Sequence, residues 1–303
     1  MGNICSDKPK IYDIAHIRNL SIESELKDHQ LHEKINYKLL VLGIGESGKS
    51  TIIKQLMFIA NKKLDKIDID IYIQALRFNI IESMHLYLQR IVELNLVIPL
   101  ELETDINVVQ QKMKACDTKA DTSFHTVIEN LRASELIKTL EAQKNKFWNL
   151  ELSDFYFDNT KRFFDPNFAP TNEDIILCRK KTLGVNITKI KSEPIHWSIV
   201  DVGGQKSEQR KWITQFDNVT VVIYVVNLTD YNWIAYDNEI NKMKDALNVF
   251  EEVFKNPIFE KVEVYLIFNK KDLFDTLINT DQGNFKKCFP EYVGNIEYEA
   301  CFE

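Results

Sequence analysis

Long apolar stretches are absent from this 303-residue chain: no hydrophobic run is long enough to span a bilayer, and no basic residues followed by an apolar stretch open it as a secretory signal would. A protein of the cytosol is expected. Positive charge is not in excess either. Lys and Arg number 38 against 45 Asp and Glu, the net charge is −7, and no basic block dominates any segment, so nucleic acid is not an expected partner. Cysteines are few. Cys5, Cys116, Cys178, Cys288 and Cys301 are odd in number, scattered and never spaced CxxC, which indicates neither a disulfide framework nor a zinc site. His29 and His32 form an HxxH pair without a Glu or Cys partner at metal spacing, and read as solvated helix residues. The remaining composition, 45% hydrophobic and 27% charged, is that of an ordinary globular protein long enough for two cores.

Lys38 to Thr51, KLLVLGIGESGKST, carries the strongest signal. The apolar run Leu39–Leu42 ends at Gly43, and Gly43 to Ser50 then reads as a glycine, four residues, Gly-Lys and a hydroxyl, the pattern of a phosphate-binding loop. A strand feeds a helix, Ser50 to Ile59, through a loop of backbone N–H groups. Gly43, Gly45 and Gly48 let that backbone close around an anion, and the helix aims its positive end at the phosphates. Lys49 would neutralise the β and γ oxygens. The Ser50 hydroxyl would serve Mg²⁺, which takes octahedral oxygen ligands from protein, water and phosphate. The same glycines also spell GxGxxG, with Asp65 and Asp68 about twenty positions on. Lys49-Ser50 argues against that dinucleotide pattern, and no buried strand precedes the two aspartates.

From Asn61 to Asp70 the chain is a charged interruption, and about a hundred helical residues are expected after it. Leu76, Ile80, Met84, Leu88 and Ile91 recur at three- and four-residue intervals until Pro99, with further amphipathic segments over Phe124–Leu140 and Asn145–Phe164. This is a helix-bundle core, inserted within a nucleotide-binding domain. Thr171 to Val185 returns the chain to the first domain. Val185–Lys191 and Ile195–Val200 alternate as a hairpin turning at Ser192-Glu193-Pro194, and the second strand runs into Asp201-Val-Gly-Gly204-Gln205. A carboxylate at a strand end followed by Gly-Gly suits a metal-linked sensor of the γ-phosphate. Val219–Val226 and Val262–Phe268 read as strands buried on both faces. The latter ends in Asn269-Lys270-Lys271-Asp272, where a carboxylate can accept hydrogen bonds from guanine and select GTP over ATP.

The order of these motifs, GxxxxGKS, an Arg/Thr segment, DxxGQ and NKxD, together with NEDIILCRKKTLG, DVGGQKSEQRKWI and FNKKDLF, closely resembles the α subunits of heterotrimeric G proteins. The likeness runs from Gly2 to the end of the chain. It implies an α/β fold, a Ras-like P-loop GTPase domain with a mostly parallel sheet and flanking helices, into which an all-helical domain is inserted. The implied division is 1–36, an N-terminal lipidated helix; 37–62 and 179–303, the GTPase domain; and 63–178, the helical insertion. From the family's known phosphoryl-transfer chemistry, Arg179 resembles the arginine that stabilises transferring charge, with Glu46 as its ion-pair partner, and Gln205 the residue orienting the attacking water. Ser50, Thr182 and, through water, Asp201 resemble the Mg²⁺ site. The implied GTP/GDP contacts are Glu46, Ser47, Gly48, Lys49, Ser50, Thr51, Ser153, Leu177, Cys178, Arg179, Thr182, Asp201, Gly204, Asn269, Lys270 and Asp272. The implied partners are a βγ dimer, receptors and effectors.

Both ends bear on this expectation. Met-Gly-Asn-Ile-Cys-Ser matches a myristoylation pattern at Gly2, and Cys5 could carry a second acyl chain, which together would anchor the protein to the cytoplasmic face of the plasma membrane. Ile11 to Asn36 suits an exposed helix with a narrow apolar stripe that needs a partner. Where the family carries arginines after the DxxGQ motif, this chain has Lys206 and Gln209, and Gln209 cannot make an ion pair to Asp245. The sequence stops at Glu303, before the family's last strand, guanine-contacting loop and receptor-binding helix. Weaker nucleotide binding and poor receptor coupling are the expectation, and a binding module that sequesters βγ or an effector without efficient turnover is the alternative to a GTP-hydrolysing transducer.

Overall fold

The computed structural model describes residues 36–142, 149–192, 195–233, 240–280 and 282–296. Gly2, Cys5, the expected N-terminal helix, the HxxH pair, Glu193-Pro194 of the hairpin turn and Cys301 lie outside them.

Among the described residues, apolar runs and one alternating segment, β2, form five strands: β1 (Asn36–Leu42), β2 (Val185–Ser192), β3 (Ile195–Val202), β4 (Val221–Asn227) and β5 (Glu263–Asn269). They join in the order β2-β3-β1-β4-β5, with β3, β1, β4 and β5 parallel and β2 antiparallel to β3. Parallel neighbours require crossovers, and helices supply most of them. The helices are α1 (Lys49–Ile59), α2 (Lys66–Glu93), α3 (Glu103–Ala115), α4 (Phe124–Ala133), α5 (Glu135–Glu141), α6 (Ser153–Asp158), α7 (Thr160–Phe163), α8 (Asn172–Leu177), α9 (Lys206–Gln209), α10 (Lys242–Phe254), α11 (Lys271–Thr280) and α12 (Gln282–Cys288).

The chain divides into two compact units, one running through Ile53 and resuming at Thr182, the other Lys54–Lys181. In the sheet unit alternate strand residues share a face. Leu40 and Leu42, Val200 and Val202, and Val222, Tyr224 and Val226 therefore meet one apolar layer that includes Trp212, Phe216, Met243, Phe259 and Phe274. In the helical unit the seam read from the sequence is the core: Leu76, Ile80, Met84, Leu88 and Ile91 are all buried, packed with Phe124, Ile128, Leu131, Tyr156 and Phe163. Each such side chain contributes roughly 1.5–3 kcal/mol on burial. Asp65 caps α2 by accepting from Asp68 N–H at 2.8 Å.

Several sequence expectations are corrected. The apolar run Val262–Phe268 is not buried on both faces: Val264, Tyr265, Leu266 and Phe268 are exposed, because among the described residues β5 is the edge strand and no packed layer covers these side chains. The strand after Val219 begins at Val221, and β3 continues to Val202, so Asp201 lies within the strand. Phe124–Leu140 is two helices, broken at Ser134, whose hydroxyl caps the second by accepting from Ile137 N–H at 3.3 Å. Over Asn145–Phe164 the described helices are only α6 and α7.

Candidate functional site

Ligands of open parallel sheets bind beyond the carboxyl ends of the strands. The motifs of the sheet unit collect at that end. Val41 of β1 pairs with Asp201 of β3, Asn227 closing β4 pairs with Asn269 closing β5, and Thr182 lies just before β2, whose first residue pairs with Val202. The loop from Gly43 leaves the same end and enters α1.

That loop needs its glycines sterically. Gly48 has φ +102°, and a Cβ there would strike the Asn269 amide. Asn269 Nδ2 donates to the Ser47 carbonyl at 2.8 Å, so the first residue of the NKxD motif holds the phosphate loop itself. Lys49 is buried and donates to the Ile44 carbonyl at 2.7 Å. Burial pulls its pKa down to about 8, against the pull of Asp201 and Asp230. Glu46, in a left-handed conformation at φ 67°, receives Lys242 Nζ at 2.9 Å. Ser47 is fully buried, and Thr51 is half-buried on α1.

Three oxygens converge beside the loop. Ser50 Oγ donates to Asp201 Oδ2 at 2.8 Å, Thr182 Oγ1 donates to the same oxygen at 3.2 Å, and the two hydroxyls lie 2.9 Å apart. Thr182 and Ser50 are 132 positions apart in sequence, so the fold, through the β1–β3 pairing, makes this cluster. Gln205 lies over the loop. Its Nε2 would stand 2.6 Å from a Cβ on Gly45, so only glycine there admits the amide so close. Gly204 is buried against Ile44 and Lys49. Lys270 follows β5 at φ 59°, and Asp272 is exposed in the first turn of α11.

The helical unit holds the other candidate residues. Tyr156 donates its hydroxyl to the Leu177 carbonyl at 2.8 Å and accepts from Arg179 N–H at 3.1 Å, while Lys54 Nζ donates to the Cys178 carbonyl at 2.5 Å. Arg179 pairs with Glu82 at 3.3 Å. Burial pushes the Cys178 thiol up to about 11, which makes it inert rather than reactive. Ser153 is buried in this core beside the Tyr87 phenol.

A family model described as G-protein alpha subunit matches residues 17–303. The chain belongs to the G-protein alpha subunit family. Among curated relatives it is 34% identical over 272 residues to the guanine nucleotide-binding protein alpha-8 subunit of Dictyostelium discoideum, covering 89% of this chain and 67% of that one. It is 31% identical over 300 residues to a guanine nucleotide-binding protein subunit alpha of Coprinellus congregatus, covering 98% and 84%. The alpha-2 subunit of Caenorhabditis briggsae is 30% identical over 308 residues, covering 99% and 84%. In this member of the G-protein alpha subunit family the five-stranded unit is thus a Ras-like GTPase fold and the other unit its helical domain.

The oxygens of Ser50, Thr182 and Asp201 suit Mg²⁺, a hard ion that takes few protein ligands and keeps water and phosphate in its remaining positions. Among the described residues no group of three His, Cys, Asp or Glu is placed to hold a metal, so no softer site competes. Sequence reasoning missed Tyr156, Glu82, Lys242 and Asp230. Each is a single residue on an ordinary helix or turn, brought into place by packing, with no local pattern to announce it.

Proposed function

We propose that this chain is a guanine-nucleotide switch: it binds GTP and GDP, hydrolyses GTP, and passes its nucleotide state to partner proteins in signalling. The observation that carries this is the meeting of Ser50, Thr182 and Asp201 beside a glycine-rich phosphate loop, at the carboxyl end of the sheet, in a chain of this family.

The loop amides from Gly43 to Ser50 would cradle the phosphates, and Lys49 would exchange the Ile44 carbonyl for phosphate oxygens. Ser50 and Thr182 would hold Mg²⁺ directly and Asp201 through water. When bound, the ion supplies neutralisation of charge on the β and γ oxygens. Gln205, already lying over Gly45, would orient the attacking water, and Arg179 would stabilise charge on the transferring group, as in the family's known chemistry. Asp272 would accept from guanine, with Asn269 fixing the loop and Lys270 flanking the base. Loss of the γ-phosphate removes contacts of Thr182 and Gly204 and relaxes both segments, changing which partner binds. A βγ dimer, a membrane receptor and an effector are the proposed partners. Acylation at Gly2 and Cys5 would hold the chain to the cytoplasmic membrane face. The described residues contain no helix long and apolar enough to cross a membrane.

Single-turnover GTP hydrolysis tests the proposal. Gln205→Leu should slow it by about tenfold or more while leaving nucleotide binding intact. Equal rates for the two proteins would overturn the hydrolytic assignment.

A further inference from the structure

Thr182 and Gln205 sit on two different segments of the sheet unit, and both must be in register for hydrolysis as proposed above. The segment holding Thr182 is loosely built: Leu183 is 75% exposed and Gly184 adopts φ +68°. A glycine in that conformation is permitted but not held by its own chain. What holds it comes from the other segment. Gly203 N–H donates to the Gly184 carbonyl at 3.2 Å, and Gly184 N–H donates to Glu208 Oε2 at 2.7 Å. Gly203 is itself fixed on its other side, since Trp212 Nε1 donates to its carbonyl at 2.8 Å. The join is tight: a Cβ on Gly203 would stand 2.7 Å from the Thr182 carbonyl and 2.7 Å from Glu208 Cβ and Cγ.

Glu208 is unusual for its element. The short helix α9 has no buried residue, yet the Glu208 side chain is only 12% exposed, turned in towards Gly184. Lys211 Nζ lies 2.9 and 2.8 Å from its two oxygens and keeps the carboxylate pointed at the glycine. Gln209, where the family carries an arginine, donates Nε2 to the Gly204 carbonyl at 3.3 Å, so this segment is tied locally on both sides of Glu208.

We propose that Glu208 is a positioning residue, which by accepting from Gly184 N–H sets the Thr182 hydroxyl and the Gln205 amide in one register for GTP hydrolysis. The role rests on the GTPase assignment above and needs reach more than charge. Two conservative variants separate the two. Glu208→Gln keeps an oxygen at the same distance and loses the charge. Glu208→Asp keeps the charge and falls a methylene short of Gly184.

The test is single-turnover GTP hydrolysis by the full chain with Mg²⁺, alongside GDP affinity and the change in tryptophan emission when a non-hydrolysable GTP analogue binds. Glu208→Asp should hydrolyse about tenfold or more slowly, bind GDP within about twofold of the natural chain, and lose the emission change from Trp212. Glu208→Gln should stay within about threefold in rate and keep the emission change. If Glu208→Asp matches the natural chain, or if Gln falls as far as Asp, the positioning role is overturned while the GTPase assignment stands. A natural chain that binds GDP but shows no turnover would overturn that assignment, and this role with it.

Discussion

Asp230 is 1% exposed just beyond β4, and its Oδ1 accepts from Asn227 Nδ2 at 2.9 Å. Its Oδ2 is buried without a hydrogen-bond partner among the described residues. Burial drives its pKa up to about 7, against the pull of Lys242 and Lys270. The folded carboxyl therefore holds a proton that the unfolded chain loses near pH 4, and stability falls as pH rises from there to about 7. Above that pH the whole cost is present. Asp230→Asn, which keeps the oxygen facing Asn227, should stabilise the protein on the order of 2–4 kcal/mol at pH 8 and by little at pH 4, measured by urea unfolding at the two pH values. Nothing in the local sequence marks Asp230, because its shift comes from burial, which the packing of other elements around it creates. Lys49 and Ser50 were legible for the opposite reason. Their role is written in the spacing of adjacent glycines, where backbone geometry alone dictates the chemistry.

At the scale of elements, α8 shows how a helix too short for periodicity is specified. Thr171 and Asp174 form a reciprocal capping box, and Arg162 forks onto both Asp174 oxygens at 2.6 and 2.7 Å. Burial works to raise the Asp174 pKa, but Arg162 and Thr171 outweigh it and hold the carboxyl below its usual range. Its contribution is thus present at neutral pH and is lost as pH falls through the lowered value. Asp174→Asn should cost about 1–3 kcal/mol at pH 7, discounted because Arg162 is partly exposed, and urea unfolding of the helical unit would report it. The long helix α2 was legible from its apolar seam, since a period near 3.6 directly encodes a buried face. The strand β5 misled. An apolar run carries no mark of whether a second layer covers it, and Val264, Tyr265, Leu266 and Phe268 turn out exposed. The break at Ser134 was equally hidden inside a continuous amphipathic pattern.

Over the whole molecule, the two units have separate hydrophobic cores, one centred on Leu76, Ile80 and Met84 and the other on Leu40, Leu42 and Tyr224. Ile80→Ala should remove about 2–5 kcal/mol from the helical unit alone. In calorimetry Ile80→Ala should lower the transition of the helical unit, whose core it opens, and GDP with Mg²⁺ should raise that of the sheet unit, which holds the phosphate loop and its hydroxyl–carboxylate cluster. The most direct measurement of the central claim is equilibrium titration of the full chain with a fluorescent, non-hydrolysable GTP analogue in Mg²⁺, competed by GDP and by ADP. One site from which GDP displaces the analogue and ADP does not is the expected result. Equal displacement by ADP, or no binding by a well-folded chain, would contradict the assignment of this site to guanine nucleotides.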